Sequence, residues 1–132
     1  MAKRILVVDD EAKFSELLQF RLRRLDYDVS AAATGTEALD KARSELPDAI
    51  LLDLLLPDLD GLTICEILRR LPSTRGTPII LITAATSEAT RAAAKIAGTY
   101  GFISKPLDFE ELKSQLNAVF AEPAANPETG RD

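Results

Sequence analysis

The chain has 132 residues, 46% of them apolar and 28% charged, with a net charge of −5; this is enough for one globular domain with its own core and is unlike a disordered composition. The acidic balance argues against direct nucleic-acid binding by this domain and against anionic membrane surfaces. The lone Cys65 excludes an internal disulfide, and the absence of histidine excludes zinc sites and histidine-based triads.

The N-terminus, MAKRILVVDD, carries an apolar run too short for a signal peptide, and no stretch reaches transmembrane length, so a cytoplasmic location is expected. Ile5-Leu6-Val7-Val8 is a short apolar run rich in β-branched residues and predicts a strand buried on both faces. Phe14, Leu17, Leu18, Leu22 and Leu25 follow at helical spacing. Val29, Ala31 and Ala33 alternate as a second strand. Thr34 and Glu37 form a capping-box pattern that opens a helix carrying Ala38, Leu39 and Ala42 and ending before Pro47. Ala49 to Leu52 is the third strand, followed by a loop through Pro57 and Gly61 and a helix around 62–71. Ile79 to Ile82 is the fourth strand. An alanine-rich helix from about Ser87 to Ala97 is stopped by Gly98, and Phe102-Ile103 is the fifth strand. Asp108 and Glu111 open a last helix with Leu112, Leu116, Val119 and Phe120. Residues 121–132 have no apolar periodicity and predict a disordered tail or linker after a domain spanning 1–120. Five strand–helix alternations imply an α/β fold, a single doubly wound five-stranded parallel sheet with five helices on its two faces.

In such a sheet, ligands bind beyond the carboxyl ends of the strands, where strand order reverses. Asp9, Asp10 and Glu11 follow strand one, Asp53 follows strand three, Thr83 ends strand four, and Lys105-Pro106 follow strand five. Taken singly, each has an ordinary explanation: a helix cap, a polar strand end or a surface lysine. Asp58 and Asp60 read as turn residues, with Gly61 supplying a backbone angle that the turn needs. The conjunction of acids, hydroxyl and lysine at one sheet edge reads as a site. Carboxylates packed together repel one another unless a cation shares the site. An all-oxygen ligand set suits a hard divalent ion, Mg²⁺ or Mn²⁺, and Lys105 adds a mobile positive charge for a phosphate or carboxylate.

These residues resemble the receiver domain of bacterial two-component response regulators. The resemblance lies in VVDDE, DLLLPDLDG, ITAAT and GFISKP, in that order, and covers about residues 3 to 120. It implies the flavodoxin-like receiver topology and a phosphorylation-dependent signalling role, with a sensor histidine kinase or phosphotransfer protein as donor. Asp53 would be the phosphoacceptor. Asp10, Asp53 and the Leu55 backbone carbonyl would ligate the cation, with Asp9 acting through a metal-bound water. Lys105 would pair with Asp53 and then with the phosphoryl group, Thr83 would hydrogen-bond a phosphoryl oxygen, and Phe102 would be the aromatic that turns inward. A cis Lys105–Pro106 bond is expected on the same ground. Such a domain catalyses its own phosphoryl transfer and slow dephosphorylation but is not a conventional turnover enzyme. Its output goes to a downstream protein or a fused output domain.

Two positions depart from the family's pattern. Phe102 stands where tyrosine is common, and being wholly apolar it should favour the buried position even before phosphorylation. Tyr100-Gly101 stands where many DNA-binding members carry two acids, which argues against dimerisation through that salt-bridge network. Rival readings are weaker. A haloacid-dehalogenase-like phosphatase needs an acid where Leu55 stands, and an FMN-binding flavodoxin needs a phosphate loop where Asp9-Asp10-Glu11 would repel it. The alternative that keeps the same fold is a receiver-like scaffold that binds partners without phosphorylation.

Overall fold

The computed structural model describes residues 2–121, so the expected tail lies, but for Ala121, outside the described residues. Strands and helices alternate as β1 (Arg4–Val8), α1 (Ala12–Arg23), β2 (Asp28–Ala32), α2 (Gly35–Glu45), β3 (Ala49–Leu52), α3 (Gly61–Arg70), β4 (Ile79–Thr83), α4 (Glu88–Ile96), β5 (Gly101–Ser104) and α5 (Phe109–Phe120). The strands form one parallel sheet in the order β2-β1-β3-β4-β5. Strand order reverses between β1 and β3, which is where a doubly wound sheet opens a crevice. Among the described residues no helix is long and apolar enough to cross a membrane.

Each strand feeds two cores because successive side chains point to opposite faces. On one face Leu6, Val8, Ile50, Leu52, Ile79 and Leu81 pack against Ala38 and Ala42 of α2, Ile64, Cys65 and Leu68 of α3, and Ala94 of α4. On the other, Ile5, Val7, Leu51, Ile80, Ile82 and Ile103 pack against Leu18 and Leu22 of α1 and Leu112 and Leu116 of α5. Continuous apolar runs in the three middle strands are the sequence signature of this two-sided burial. Burial also pushes the Cys65 thiol up to about 12, which leaves it an inert small hydrophobe.

Local signals place the helices. Thr34 caps α2, its hydroxyl accepting from the Glu37 amide at 3.1 Å. The reciprocal half of the expected capping box is displaced by one residue, since Glu37 accepts from the Ala33 amide at 2.9 Å. Asp60 caps α3 through the Leu62 amide, Ser87 caps α4 through Thr90, and Asp108 caps α5 through Glu110 and Glu111. Gly98 takes the left-handed conformation, φ 85°, that terminates α4.

Leu81, fully buried on the interior strand β4, should be a sensitive position. Leu81→Ala is expected to cost about 3 kcal/mol in urea unfolding. Leu17→Ala, at a site 59% exposed, should stay within about 0.5 kcal/mol of wild type.

Candidate functional site

Register brings two acids side by side. Val8 pairs with Leu52 at the ends of β1 and β3, and the Asp53 amide donates to the Val8 carbonyl at 3.0 Å. Asp9 and Asp53 therefore leave the sheet together at the strand-order reversal. Both are almost wholly buried, 4% and 5% exposed. Thr83, which no solvent reaches, ends β4, and its carbonyl accepts from the Lys105 amide at 2.9 Å, which sets Lys105 just beyond β5.

A single ammonium answers for both buried carboxylates. Lys105 Nζ donates to Asp9 Oδ2 at 2.8 Å and to Asp53 Oδ2 at 3.0 Å, and Glu11 Oε1 lies 3.5 Å from it. The remaining oxygen of each aspartate turns back on its own loop: Asp9 Oδ1 accepts from the Glu11 amide at 2.9 Å and Asp53 Oδ1 from the Leu55 amide at 3.0 Å. Thr83 repeats the pattern, Oγ1 accepting from the Ala85 amide at 3.2 Å. At three strand ends a side chain thus satisfies the amide two residues on, which stops the strand and aims the group into the crevice. The Lys105–Pro106 peptide bond is cis, as expected from the sequence.

The electrostatics follow from burial set against pairing. Burial raises the pKa of Asp9, and the Asp53 charge adds to the rise; the hydrogen bonds from Lys105 and the Glu11 amide only partly offset it. Burial alone would lower the pKa of Lys105, but hydrogen bonds and charge from Asp9 and Asp53 outweigh it and raise the value. Lys105 is therefore firmly cationic, and Asp9 carries the cost of the cluster.

The structure brings together Asp9, Asp53, Thr83 and Lys105, and leaves Asp10 exposed beside them. Among the described residues, no three carboxylate, thiolate or imidazole groups converge as a metal cluster, and Asp10 pairs with no lysine or arginine. Phe102 is half-buried against the α2–α3–α4 core rather than fully buried. The Arg91 guanidinium lies over its ring, 4.4 Å from the centroid, so a cation–π contact covers the part of the ring that the core does not.

Three readings from sequence change. Gly61 does not supply an unusual backbone angle, since among the described residues Gly98 is the glycine with positive φ. Its role is close approach: a Cβ there would come within 2.7 Å of Leu54 Cα and 2.9 Å of the Asp53 carbonyl oxygen. Asp60 is a helix cap rather than a plain turn residue. Asp58 reaches out of its turn to the start of α2, where Oδ1 accepts from the Gly35 amide at 2.7 Å and Oδ2 from the Thr36 amide at 3.0 Å and the Thr36 hydroxyl at 2.8 Å. Phe14 was legible only as an α1 core residue, yet Lys105 Nζ lies 4.4 Å from its ring centroid. No pattern in the sequence marks that contact.

The three bonds lower the pKa of Asp58 from 3.8 to about 2. A carboxyl with a depressed folded-state value contributes stability that is fully present above its unfolded value and lost as pH falls through the folded one. The stability gap between wild type and Asp58→Asn should therefore be full above pH 3.8 and shrink toward zero near pH 2, measured by urea unfolding across that range.

Known proteins match this chain closely. The family model for the response regulator receiver domain matches residues 5–117. The chain is 40% identical over 119 residues to the alkaline phosphatase synthesis transcriptional regulatory protein PhoP of Bacillus subtilis, covering 90% of this chain and 49% of that protein. It is 43% identical over 119 residues to response regulator PleD of Caulobacter vibrioides, covering 90% of this chain and 26% of that protein. It thus spans about half of the one relative and about a quarter of the other. Among solved structures, the receiver domain of sensor histidine kinase PA1611 from Pseudomonas aeruginosa, with a magnesium ion coordinated in its active site cleft, superposes with a TM-score of 0.84 at 31% identity, covering 92% of this chain and 100% of that chain.

Proposed function

The chain belongs to the response regulator receiver family, and from that premise we propose that residues 1–120 act as a phosphorylation-controlled signalling receiver with Asp53 as phosphoacceptor. The observation that carries the reading is the buried Asp53 carboxylate held 3.0 Å from an ammonium that is itself shared with Asp9. A structural ion pair at this depth is weak evidence for stability, since desolvation consumes most of its Coulombic gain. A nucleophile that must stay ionised and oriented explains the arrangement better.

The oxygen-only donor set fits a hard divalent cation, Mg²⁺ or Mn²⁺. Asp10, Asp53 and the Leu55 carbonyl would hold it, with Asp9 acting through a water, and bound there it would neutralise charge on carboxylates and phosphoryl oxygens. The exposure of Asp10 beside the cluster and the loop amide that fixes one Asp53 oxygen support this reading. The PA1611 receiver carries magnesium in its cleft, which supports the same assignment here.

Phosphoryl transfer asks the protein for positioning and charge stabilisation rather than a general base. An Asp53 oxygen attacks phosphorus, the new P–O bond forms in line, and the donor's P–N or P–O bond breaks with its electron pair leaving on the donor. Lys105 then follows the negative charge from the carboxylate to a phosphoryl oxygen. The Thr83 hydroxyl, which now accepts from Ala85, has its own proton free to donate to another. Its movement opens space beside Phe102, which must give up the Arg91 contact to turn further in. The signal would leave through α4, β5 and α5. A sensor histidine kinase or phosphotransfer protein in the cytoplasm would supply the phosphoryl group, and a downstream protein or a fused output domain would read it.

Incubation with acetyl phosphate and Mg²⁺ should add one phosphate to the wild type by intact mass, and none to Asp53→Asn. Equal labelling of the variant would remove Asp53 from the role, and an unlabelled wild type would favour the phosphorylation-independent scaffold. Asp10→Ala should abolish the Mg²⁺-induced rise in melting temperature; an unchanged rise would place the cation elsewhere.

A further inference from the structure

The loop from 54 to 60 carries the Leu55 carbonyl, and it is closed at its base where the Gly61 amide donates to the Leu54 carbonyl at 3.0 Å and sets Leu55 opposite Asp60 as an antiparallel pair. That hydrogen bond does not reach the tip at Pro57, Asp58 and Leu59. The tip is tied instead to a different element. Both Asp58 oxygens accept from the first residues of α2, more than twenty positions away in sequence, and Oδ1 also accepts from the neighbouring Leu59 amide at 2.9 Å. Leu59 rests on Gly35, where a Cβ would approach Leu59 Cβ to 2.8 Å.

The two tip contacts differ in kind. Leu59 buries area without fixing an orientation, because apolar attraction is non-directional. Asp58 is a charged acceptor meeting two amides and a hydroxyl, and such bonds are short and directional. The favourable field at the start of a helix adds to them. With the base closed and the tip tied, the intervening Leu55 and Leu56 backbone has little freedom left.

Resting on the receiver reading above, we propose that Asp58 is a positioning residue for the site: by anchoring the 54–60 loop to the N-terminus of α2, it holds the Leu55 carbonyl where a divalent cation needs it. Asp58 touches neither cation nor phosphoryl group and acts through the loop. The tie also joins α2 mechanically to the segment beside Asp53, so that displacement of either is felt by the other.

The test compares four proteins: wild type, Asp58→Ala, Asp58→Asn and Asp48→Ala. The Asn variant keeps the shape of the side chain but turns an amide donor toward donors at Thr36. Asp48 is the control, a comparable tie at the opposite edge of the sheet, where its carboxylate accepts from the Arg4 amide at 2.7 Å. Mg²⁺ affinity is read from the amide NMR shifts of the folded protein, alongside hydrogen exchange across 54–60 without metal and the rate of labelling by acetyl phosphate. Both Asp58 variants should weaken Mg²⁺ binding about tenfold, the size of effect seen when partners of metal ligands are removed, with faster exchange in the loop and slower labelling. Asp48→Ala should lose stability and leave all three readouts unchanged. An Asp58 effect on Mg²⁺ affinity below about threefold, or an equal effect from Asp48→Ala, overturns the proposal and leaves Asp58 a structural tie. A wild type that neither binds Mg²⁺ nor takes up phosphate overturns the receiver reading itself, an outcome distinct from the other two.

Discussion

The Lys105 ammonium shared by two buried carboxylates is the interaction around which the rest of this structure is arranged. Without it, Asp9 and Asp53 would face each other in a buried crevice as two like charges stripped of water with no counter-ion. The three groups come from the ends of β1, β3 and β5, so the pair distances of 2.8 and 3.0 Å hold only while three strands keep their register. Glu11 and the Phe14 ring close the remaining sides of the ammonium, one by charge and one by its π face. The cluster is thus a report on the integrity of the whole sheet.

A parallel sheet suits this use. Every strand delivers its carboxyl end to the same edge, and the reversal of strand order parts the helices above it. The strand interiors are committed to packing on both faces. The functional groups sit at the carboxyl ends, where Asp9 and Asp53, just past β1 and β3, and Thr83, the last residue of β4, each turn to satisfy the amide two positions on. The same hydrogen bond ends the strand and orients the functional oxygen, so local folding and site geometry have one cause.

The two sides of the crevice are held differently. On the α2–α3 side the loop after β3 is fastened by directional bonds from Asp58 and by the close approach of Gly61 to Leu54. On the α4–β5 side the contacts are softer: Thr83 makes one long bond to Ala85, and Phe102 sits half-buried under Arg91. On the proposed reading, the rigid side would receive the cation and the side with weak, exchangeable contacts would carry the altered surface. Phe102 offers no hydroxyl, so that surface presents cation–π and apolar contacts, which Arg91 already uses.

Apolar runs in β1, β3 and β4, the amphipathic helices and the caps at Thr34 and Asp108 are local signals, and they were legible because period and capping depend on neighbours in the chain. The meeting of Asp9, Asp53, Thr83 and Lys105 at one edge was legible too, since parallel alternation sends every strand end the same way. What stayed hidden was whatever depended on distances between segments remote in sequence. Asp58 read as a turn residue because its partners lie on α2. Gly61 read as a matter of backbone angle because the atoms that exclude a side chain belong to Leu54 and Asp53. Phe14 read as core because only the fold sets it under Lys105, and Phe102 read as favouring the inward position on its apolar character alone, because Arg91, eleven positions away, leaves no local signal of the contact with its ring. Sequence alone determined the fold class and which acids, hydroxyl and lysine stand at the carboxyl ends of the strands, since both follow from periodicity and from what ends each strand. The tertiary structure decided which oxygen faces which donor, which acid is buried and which exposed, and what holds the loop beside Asp53, because those are set by packing across elements and leave no periodic trace in the chain.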